Sequence, residues 1–260
     1  MHLVGGTDMK IYAVRSIAAV AVSSIFALPA ISQACPADHA QLQGALATAV
    51  AEETSGLQLD MWATVVDRDG VVCAVAFSGL VRGDQWPGSR VISAQKANTA
   101  NAFSLDILAL STANLYSAVQ PGGSLYGLQH SNPVDTSVAY LGPSENYGEP
   151  NDPMVLGKIG GVNVFGGGLG LYIGGQVVGG VGVSGDTSCT DHMVAWRVRH
   201  HLGLNQLAGV GGVSGDPERP DNIVYDIRPN RTGGTGISVG GFGHPECINT
   251  GDESMLPPVT

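Results

Sequence analysis

This sequence predicts an α+β fold, in which an antiparallel sheet is covered by helices and followed by a Gly/Pro-rich C-terminal extension. One observation is a hairpin pattern near the start, where two β-branched segments flank an Asp-Gly turn at residues 69–70. A second is the order of elements, since helical patterns follow one another instead of alternating regularly with strands. With 43% hydrophobic and 13% charged residues, the 260-residue chain can bury a sizeable core.

The N-terminus has the pattern of an export signal. Basic residues precede a short apolar run at residues 17–28, and Ser32 and Ala34 are small residues suited to cleavage. We therefore predict a signal peptide at residues 1–34 and a periplasmic or secreted protein, with no stable membrane span after processing. An uncleaved anchor and a lipid attached to Cys35 are the alternatives.

Four cysteines follow the proposed cleavage point. An even number in an exported chain favours disulfides over metal binding, and no pair has the CxxC spacing typical of zinc sites. Three pairings are open. We favour Cys189–Cys247, which would tie the C-terminal tail to the body of the protein, with Cys35–Cys73 as the second disulfide.

Hydrophobic spacing and turn residues predict the first elements of the chain. A helix over 36–56 begins near the N-cap residue Asp38 and ends at Gly56. A β-hairpin follows, with strands at 61–67 and 71–77.

The remaining elements leave room for a long loop and a tail. We expect helices at 89–103 and 111–119, a long loop at 121–157, strand segments at 161–165, 169–173 and 176–183, and a helix at 189–202. Because long loops in compact domains are often binding segments, this loop is a candidate for ligand contact. The Gly/Pro-rich residues 207–260 are expected to pack on the domain as an extension.

Four segments carry a resemblance to a known family. They are Val65–Ala74 on the hairpin, Ser93–Phe103 on the second long helix, Gly160–Val164, and Val177–Asp186 with its Gly-Val-Ser-Gly run. In these segments the chain resembles the GlcG/HbpS-type haem-binding family, which includes the C-terminal domain of PduO-type proteins. The resemblance covers residues 36–206. Its specific part is the Lys-Ala-x-Thr-Ala-x-x-Phe pattern on the second long helix together with the later Gly-Val-Ser-Gly run.

The resemblance implies a profilin-like fold, a homo-oligomer and a bound haem (heme) or other tetrapyrrole-sized ligand. It also implies that residues 35–206 form the ligand-binding domain. The loop at 121–157 and the extension at 207–260 depart from the compact members of the family. These two segments are the places where we expect the ligand site to differ.

Histidines are natural axial ligands of haem iron, and His130 is the first candidate because it lies in the long loop. Lys96 is a candidate for neutralising haem propionates, together with the backbone amides at Gly182–Gly185. A solvated loop histidine and a solvated helix face are the ordinary alternatives for His130 and Lys96. The full predicted ligand-binding set is Lys96, Thr99, His130, Gly182, Ser184, Gly185 and His192.

The run Gly180–Gly185 also matches the GxGxxG pattern of dinucleotide-binding turns. No parallel strand follows its helix and no acidic residue lies about 20 residues further on, so a tight strand-to-helix turn is the better interpretation. Ser184 with Asp191 and His192 suggests a catalytic triad, but a nucleophile elbow needs Gly where Asp186 stands. A net charge of −10 without Lys/Arg clusters makes nucleic acid a poor partner.

Three functions are compatible with these residues. The first is an exported binding protein for haem or a similar planar, carboxylate-bearing small molecule. The second is an enzyme of isomerase or lyase type acting on a small carboxylate-bearing substrate, with Lys96, Asp191 and His192 as acid–base groups. The third is a structural oligomer component without a ligand, which a closed cleft filled by side chains would favour. The sequence leaves open whether the chain is an enzyme.

Overall fold

A four-stranded antiparallel sheet lies at the centre of the computed structural model, which describes residues 34–229, 234 and 236–260. Residues 1–33 of the predicted signal peptide lie outside the described residues. In chain order the helices and strands are α1 (His39–Glu52), β1 (Trp62–Asp67), β2 (Val72–Phe77), α2 (Ser89–Phe103), α3 (Leu128–Ser131), α4 (Thr136–Ala139), β3 (Gly168–Ile173), β4 (Gln176–Ser184), α5 (Ser188–His201), β5 (Ile227–Arg228) and β6 (Ile237–Ser238).

The sheet has the strand order β2-β1-β4-β3, and every neighbouring pair is antiparallel. Alternation along β1 sends Val65 to one face, where α1 and α5 pack, and Val66 to the other, where α2 packs. The strands are therefore buried on both faces. The predicted α+β class, with an antiparallel sheet covered by helices, is confirmed.

Glycines in β4 let α2 approach the sheet very closely. A Cβ atom at Gly182 would lie 1.9 Å from the carbonyl oxygen of Ser93, and one at Gly180 would lie 2.3 Å from that of Ala97. Only a residue without a side chain fits at such distances. The first two glycines of the run that matched a dinucleotide pattern therefore serve the packing of α2 on the sheet.

Two aspartates close the local turns that the sequence predicts. Asp38 caps α1, since its side chain accepts a hydrogen bond from the backbone of Gln41 at 2.9 Å and the Gln41 side chain accepts one in return. In the hairpin, the Asp67 carboxylate accepts hydrogen bonds from the backbone of Asp69 and Val71, both at 2.9 Å.

The segment 111–119 forms two 3₁₀ turns, Thr112–Leu115 and Ser117–Val119, and the prediction of one helix there is wrong. The Oδ1 atom of Asn114 accepts hydrogen bonds from both the backbone and the hydroxyl of Ser111, each at 2.9 Å. This side-chain bonding tightens the first turn and replaces the regular helical pattern.

The prediction of a strand at 161–165 is also wrong. Gly160 forms only an isolated bridge with Val134, and Gly161 has a φ angle of 79°, which interrupts extended backbone. The first helix is shorter than predicted and ends at Glu52.

The long loop at 121–157 contains the two short helices α3 and α4 and is anchored by a buried ion pair. Arg90 of α2 donates to the Asp152 carboxylate with two of its nitrogens, and its guanidinium lies 3.7 Å from the ring centroid of Tyr147. A bidentate pair of this kind fixes the loop against α2.

Two disulfides join distant parts of the chain. Cys35–Cys73 links the segment before α1 to β2, and Cys189–Cys247 links the first turn of α5 to the extension at 207–260. Among the described residues, no helix is both long and apolar enough to cross a membrane.

Candidate functional site

A buried ion pair between Lys96 and Asp191 lies where α2, the end of β4 and the start of α5 meet. The Nζ atom of Lys96 is 2.6 Å from Oδ2 of Asp191 and also donates to the backbone carbonyl of Val183 at 3.1 Å. The two side chains are only 2% and 3% exposed, so Lys96 does not lie on a solvated helix face. We call this pair the Lys96–Asp191 centre.

The second oxygen of the Asp191 carboxylate binds the turn that follows β4. Oδ1 accepts hydrogen bonds from the backbone nitrogens of Gly185 at 3.0 Å and Asp186 at 2.9 Å. Lys96 and the amide of Gly185, which were predicted to hold a ligand carboxylate, here hold a carboxylate of the protein itself, together with the amide of Asp186. Burial raises the pKa of Asp191 to about 6, although Lys96 and the two amides act in the opposite direction.

His192 follows Asp191 on α5 and is fully buried beside the extension. Its Nε2 atom lies 3.2 Å from Oδ1 of Asn222 and 3.2 Å from the backbone nitrogen of Ile223. Its Nδ1 atom is buried without a hydrogen-bond partner among the described residues. Burial lowers the pKa of His192 to about 4, so the imidazole is neutral at neutral pH.

His244, in the extension, is a second buried imidazole that the predicted ligand-binding set did not include. Its Nδ1 atom donates to the carbonyl of Pro245 at 2.7 Å, and its Nε2 atom accepts from the backbone nitrogen of Gly166 at 3.4 Å. Its ring centroid lies 5.1 Å from that of Tyr116. Burial lowers the pKa of His244 to about 4. Only the folding of the extension brings this residue here, so no spacing in the sequence indicates it.

The other predicted residues on α2 and β4 are buried. Thr99 accepts a hydrogen bond from the backbone of Asn163 at 3.0 Å and so supports the segment 160–167. Gly182 packs beneath α2, and Ser184 is the last residue of β4, next to the turn that Asp191 binds.

His130, the predicted iron ligand, has an exposed side chain on α3. Leu128 of this short helix packs against the hydrophobic cluster that contains Val164 of the segment 160–167. At the end of that segment, a Cβ atom on Gly167 would lie 3.0 Å from Nζ of Lys96. The segment 160–167 therefore borders both α3 and the Lys96–Asp191 centre.

Two surface clefts flank the short ribbon formed by β5 and β6. One, with a volume of about 370 Å³, is lined by Tyr116, Ile227 and Ile237. The other, of about 530 Å³, is lined by Tyr225, Ile227 and His244. His244 therefore borders the second cleft and, through Nε2, also contacts the backbone next to the Lys96–Asp191 centre.

The residues present meet the needs of haem only in part. The exposed imidazole of His130 is accessible to haem iron, whereas His192 and His244 are buried. Lys96 and the turn amides are already bonded to Asp191, so a propionate could use them only by displacing that carboxylate. The Lys96–Asp191 centre holds a lysine and a carboxylate of raised pKa, and the neutral imidazoles of His192 and His244 lie near it. Groups of these kinds are suited to proton transfer.

The fold and this centre define an α+β protein with buried polar groups between α2 and the glycine-rich turn that follows β4. The model of the family described as haem degrading protein HbpS-like matches residues 36–199, and the chain belongs to this family. The predicted resemblance to HbpS-type proteins is thereby confirmed.

Several solved structures are similar to the chain. Klebsiella pneumoniae protein ORFY is 27% identical, covering 63% of this chain and 86% of that chain, with a TM-score of 0.44. The PduOC–haem complex is 24% identical, covering 62% and 89%, with a TM-score of 0.44. HbpS is 15% identical, covering 64% and 86%, with a TM-score of 0.40. A search of the curated proteins found no match.

Proposed function

We propose that this chain binds haem, or a similar planar ligand carrying carboxylates, outside the cytoplasm. Its family is described as haem degrading, and the family model covers the whole sheet and most of α5. The observation that carries the proposal is the exposed imidazole of His130 within the matched residues, because an axial ligand has to be within reach of the incoming iron.

In this proposal His130 ligates the iron, and Lys96 with the amides of Gly182–Gly185 receives the propionates. The segment 160–167 supports this arrangement because it borders both α3 and Lys96. A propionate bound to Lys96 and the Gly185 amide has to replace the Asp191 carboxylate, which already accepts hydrogen bonds from both. Haem binding at this place therefore involves a rearrangement of the closed centre.

The two disulfides support a location outside the cytoplasm. Structural disulfides form and persist in oxidising compartments such as the periplasm and the extracellular space. We therefore retain the signal peptide at residues 1–34 and a periplasmic or secreted mature chain as part of the proposal.

Absorbance titration of the mature chain with haemin tests the binding function. We expect a saturable Soret band at one haem per chain or per dimer. The same titration of albumin, run in parallel, is the control. His130→Ala should shift the Soret maximum and weaken binding at least tenfold. The matched control is His201→Ala, since His201 is also exposed but pairs with Glu52 at the end of α5.

The outcomes separate the parts of the proposal. A linear, non-saturable response of the wild type would eliminate haem as the ligand. Saturable binding that is identical in the wild type and His130→Ala would retain haem but remove His130 as its ligand.

An acid–base enzyme for a small carboxylate-bearing substrate is a second candidate function. The observation in its favour is the Lys96–Asp191 centre, where burial raises the pKa of Asp191 to about 6 beside the neutral imidazole of His192. Substrate screening should find turnover that Lys96→Met and His192→Gln both abolish. Turnover that survives both substitutions would exclude this centre as the active site.

A structural role without a ligand is the third candidate, and the filled space around Lys96 favours it. This role predicts no saturable haemin binding in any redox state. It also relies on the homo-oligomer that the family resemblance implies, for which the exposed apolar residues Leu80, Val81 and Trp86 offer a contact surface. Light scattering of the mature chain and of Leu80→Ser should measure a lower mass for the variant if this surface forms the contact.

A further inference from the structure

Three side chains of the kinds that bind metal ions meet at the start of α5. Cys189 is the second residue of this helix, and His244 and Cys247 lie in the extension. One ligand atom from each of the three residues lies within 4.8 Å of the other two. Only Cys189 belongs to residues 36–199, which match the family model, so this cluster depends on the extension.

The distances in the cluster are close to those of a zinc site. Zn²⁺ binds thiolate sulfur at about 2.3 Å and imidazole nitrogen at about 2.0 Å, so its tetrahedral ligands lie about 3.5–3.8 Å apart. The Sγ atom of Cys189 lies 4.0 Å from Nδ1 of His244. The two sulfurs are bonded to each other and have to separate before they can share a metal. Cys189 is fully buried, whereas Cys247 is partly exposed and has space on its solvent side.

The N-terminus of α5 favours the thiolate form of these cysteines. The backbone nitrogen of Cys189 donates a hydrogen bond to Sγ of Cys247 at 3.2 Å, and the hydroxyl of Ser188 lies 3.6 Å from the same sulfur. A helix N-terminus also carries a partial positive charge, which stabilises an anion beside it. Once the two sulfurs are no longer bonded to each other, both effects favour the thiolate, which is the form that binds metals.

The imidazole of His244 can present Nδ1 to a metal when its ring proton lies on Nε2. In the disulfide-bonded chain, Nδ1 donates to the carbonyl of Pro245 at 2.7 Å, and Nε2 accepts from the backbone nitrogen of Gly166 at 3.4 Å. Metal binding therefore gives up both hydrogen bonds. The bond to the metal replaces the first, and the second is long and therefore weak.

We propose that Cys189, Cys247 and His244 bind Zn²⁺ when the Cys189–Cys247 disulfide is reduced, so that this position holds either a disulfide or a metal ion. Two thiolates and one imidazole form a ligand set typical of zinc, and the two thiolates neutralise its charge. The fourth position takes a water molecule, which reaches the site beside the partly exposed Cys247. This zinc site does not depend on the binding of haem.

The disulfide and the metal replace each other in balanced steps. A dithiol reductant supplies two electrons and two protons, the sulfur–sulfur bond breaks, and the dithiol becomes a disulfide. When Zn²⁺ binds, the two thiols of Cys189 and Cys247 release their protons to water, and two sulfur–zinc bonds replace bonds from the ion to water. A small-molecule disulfide reverses these steps. It takes two electrons from the thiolates and two protons from water, and Zn²⁺ is released.

The reduced state precedes the disulfide in every chain, because cysteines are incorporated as thiols. In that state Zn²⁺ connects the extension to α5 at the place where the disulfide does so later. Metal binding at such a site contributes free energy to folding. The zinc site therefore holds Cys247 beside Cys189 until an oxidising compartment supplies the disulfide.

Titration of the reduced mature chain with Co²⁺, followed by Zn²⁺, tests the site. Co²⁺ is the probe because its thiolate complexes absorb in the near ultraviolet and the visible, and the dithiol is first removed without air because it binds Co²⁺ itself. We expect a thiolate charge-transfer band that saturates at one Co²⁺ per chain and disappears when Zn²⁺ is added. The oxidised chain should give no such band.

Two double variants assign the sulfurs. Cys35→Ser/Cys73→Ser keeps the thiols of Cys189 and Cys247, and Cys189→Ser/Cys247→Ser keeps the other two. After reduction each variant has two thiols, but only the first should give the charge-transfer band.

A pair of single variants tests the imidazole. His244→Ala should bind Co²⁺ at least tenfold more weakly than the wild type. His201→Ala is the matched control and should bind as the wild type does, since His201 pairs with Glu52 at the opposite end of α5.

Hydrogen exchange of the β1 and β4 amides shows whether the reduced chain is folded around the metal. These amides should be protected in the presence of Zn²⁺, whether or not reduction alone removes their protection. A reduced chain that stays unprotected with Zn²⁺ would overturn the zinc site. So would the absence of a saturable band in the reduced wild type, or equal bands in the two double variants. Unchanged affinity in His244→Ala would overturn the three-ligand site.

Discussion

Arg199 of α5 and Asp221 of the extension form a bidentate ion pair with no exposed side-chain surface. The Nη1–Oδ2 and Nη2–Oδ1 distances are 2.6 Å and 2.9 Å, and Arg199 also donates to the carbonyl of Gly170 in β3 at 3.2 Å. One guanidinium therefore connects the extension, the last helix and the sheet.

Asp221→Ala should strongly destabilise the protein, because it leaves the Arg199 guanidinium buried without its counter-ion. Removing one partner of a buried ion pair costs about 3–5 kcal/mol. The control is Asp216→Ala, which removes an exposed carboxylate 3.0 Å from Arg219 and should cost less than about 1 kcal/mol. Urea unfolding of the two variants measures the difference, and equal losses would contradict this role of the buried pair.

Gly182→Ala should also destabilise the protein, because the added methyl group would collide with the backbone of α2 at Ser93. Overpacking of this kind typically costs about 1–3 kcal/mol. Gly44 is a useful control, since it lies inside α1 with open space around it, and alanine there should stabilise the helix by about 0.5–1 kcal/mol. Thermal unfolding should therefore shift in opposite directions for the two alanine variants.

The four strands of the sheet could be predicted from the sequence because local rules determine each of them. The Asp-Gly turn places the hairpin, and the alternation of β1 between two buried faces follows from the pleat. Local rules failed where one side chain changed the backbone, as Asn114 does, or where a glycine such as Gly161 takes a positive φ angle.

Such local rules could not predict that Lys96 is buried and already paired with Asp191. Lys96 could be identified from the sequence pattern of α2. Its ion-pair partner and its burial, however, depend on contacts between residues far apart in sequence. His244 lies in a tail without periodicity, and it reaches the centre only because the extension folds back over α5. Burial of this kind depends on tertiary packing, which no spacing pattern records.

Acid should weaken the fold through two buried imidazoles. His192 and His244 have pKa values of about 4 in the folded chain, against about 6.5 for an unperturbed histidine. The unfolded chain therefore binds more protons between these values, so stability is complete above about pH 6.5 and falls as the pH approaches 4. Asp191, with its pKa raised to about 6, takes up a proton in the folded chain and offsets part of this loss.

Urea unfolding between pH 7.5 and pH 4.5 measures the slope of the free energy of unfolding against pH. This range covers most of the interval over which the two histidines should change the stability. His192→Gln should reduce this slope by up to about 1.4 kcal/mol per pH unit. The reason is that the unfolded chain then binds one proton fewer in excess of the folded chain. His130→Gln is the control, because it replaces an exposed histidine that lies outside the buried pair. A slope that is the same in all three proteins would contradict the assignment.

The disulfide formed by Cys35 bears on whether this residue can carry a lipid anchor. Its sulfur is bonded to Cys73, so it is not free to carry the thioether of a lipid anchor. Cleavage after Ala34 should therefore release a chain that begins at Cys35 and carries no acyl group. Intact mass spectrometry of the chain recovered from the periplasm or the culture medium should give the mass of residues 35–260, with a gain of four hydrogens on reduction of the two disulfides. A lipid-modified mass together with a gain of two hydrogens only would show that Cys35 is used as an anchor.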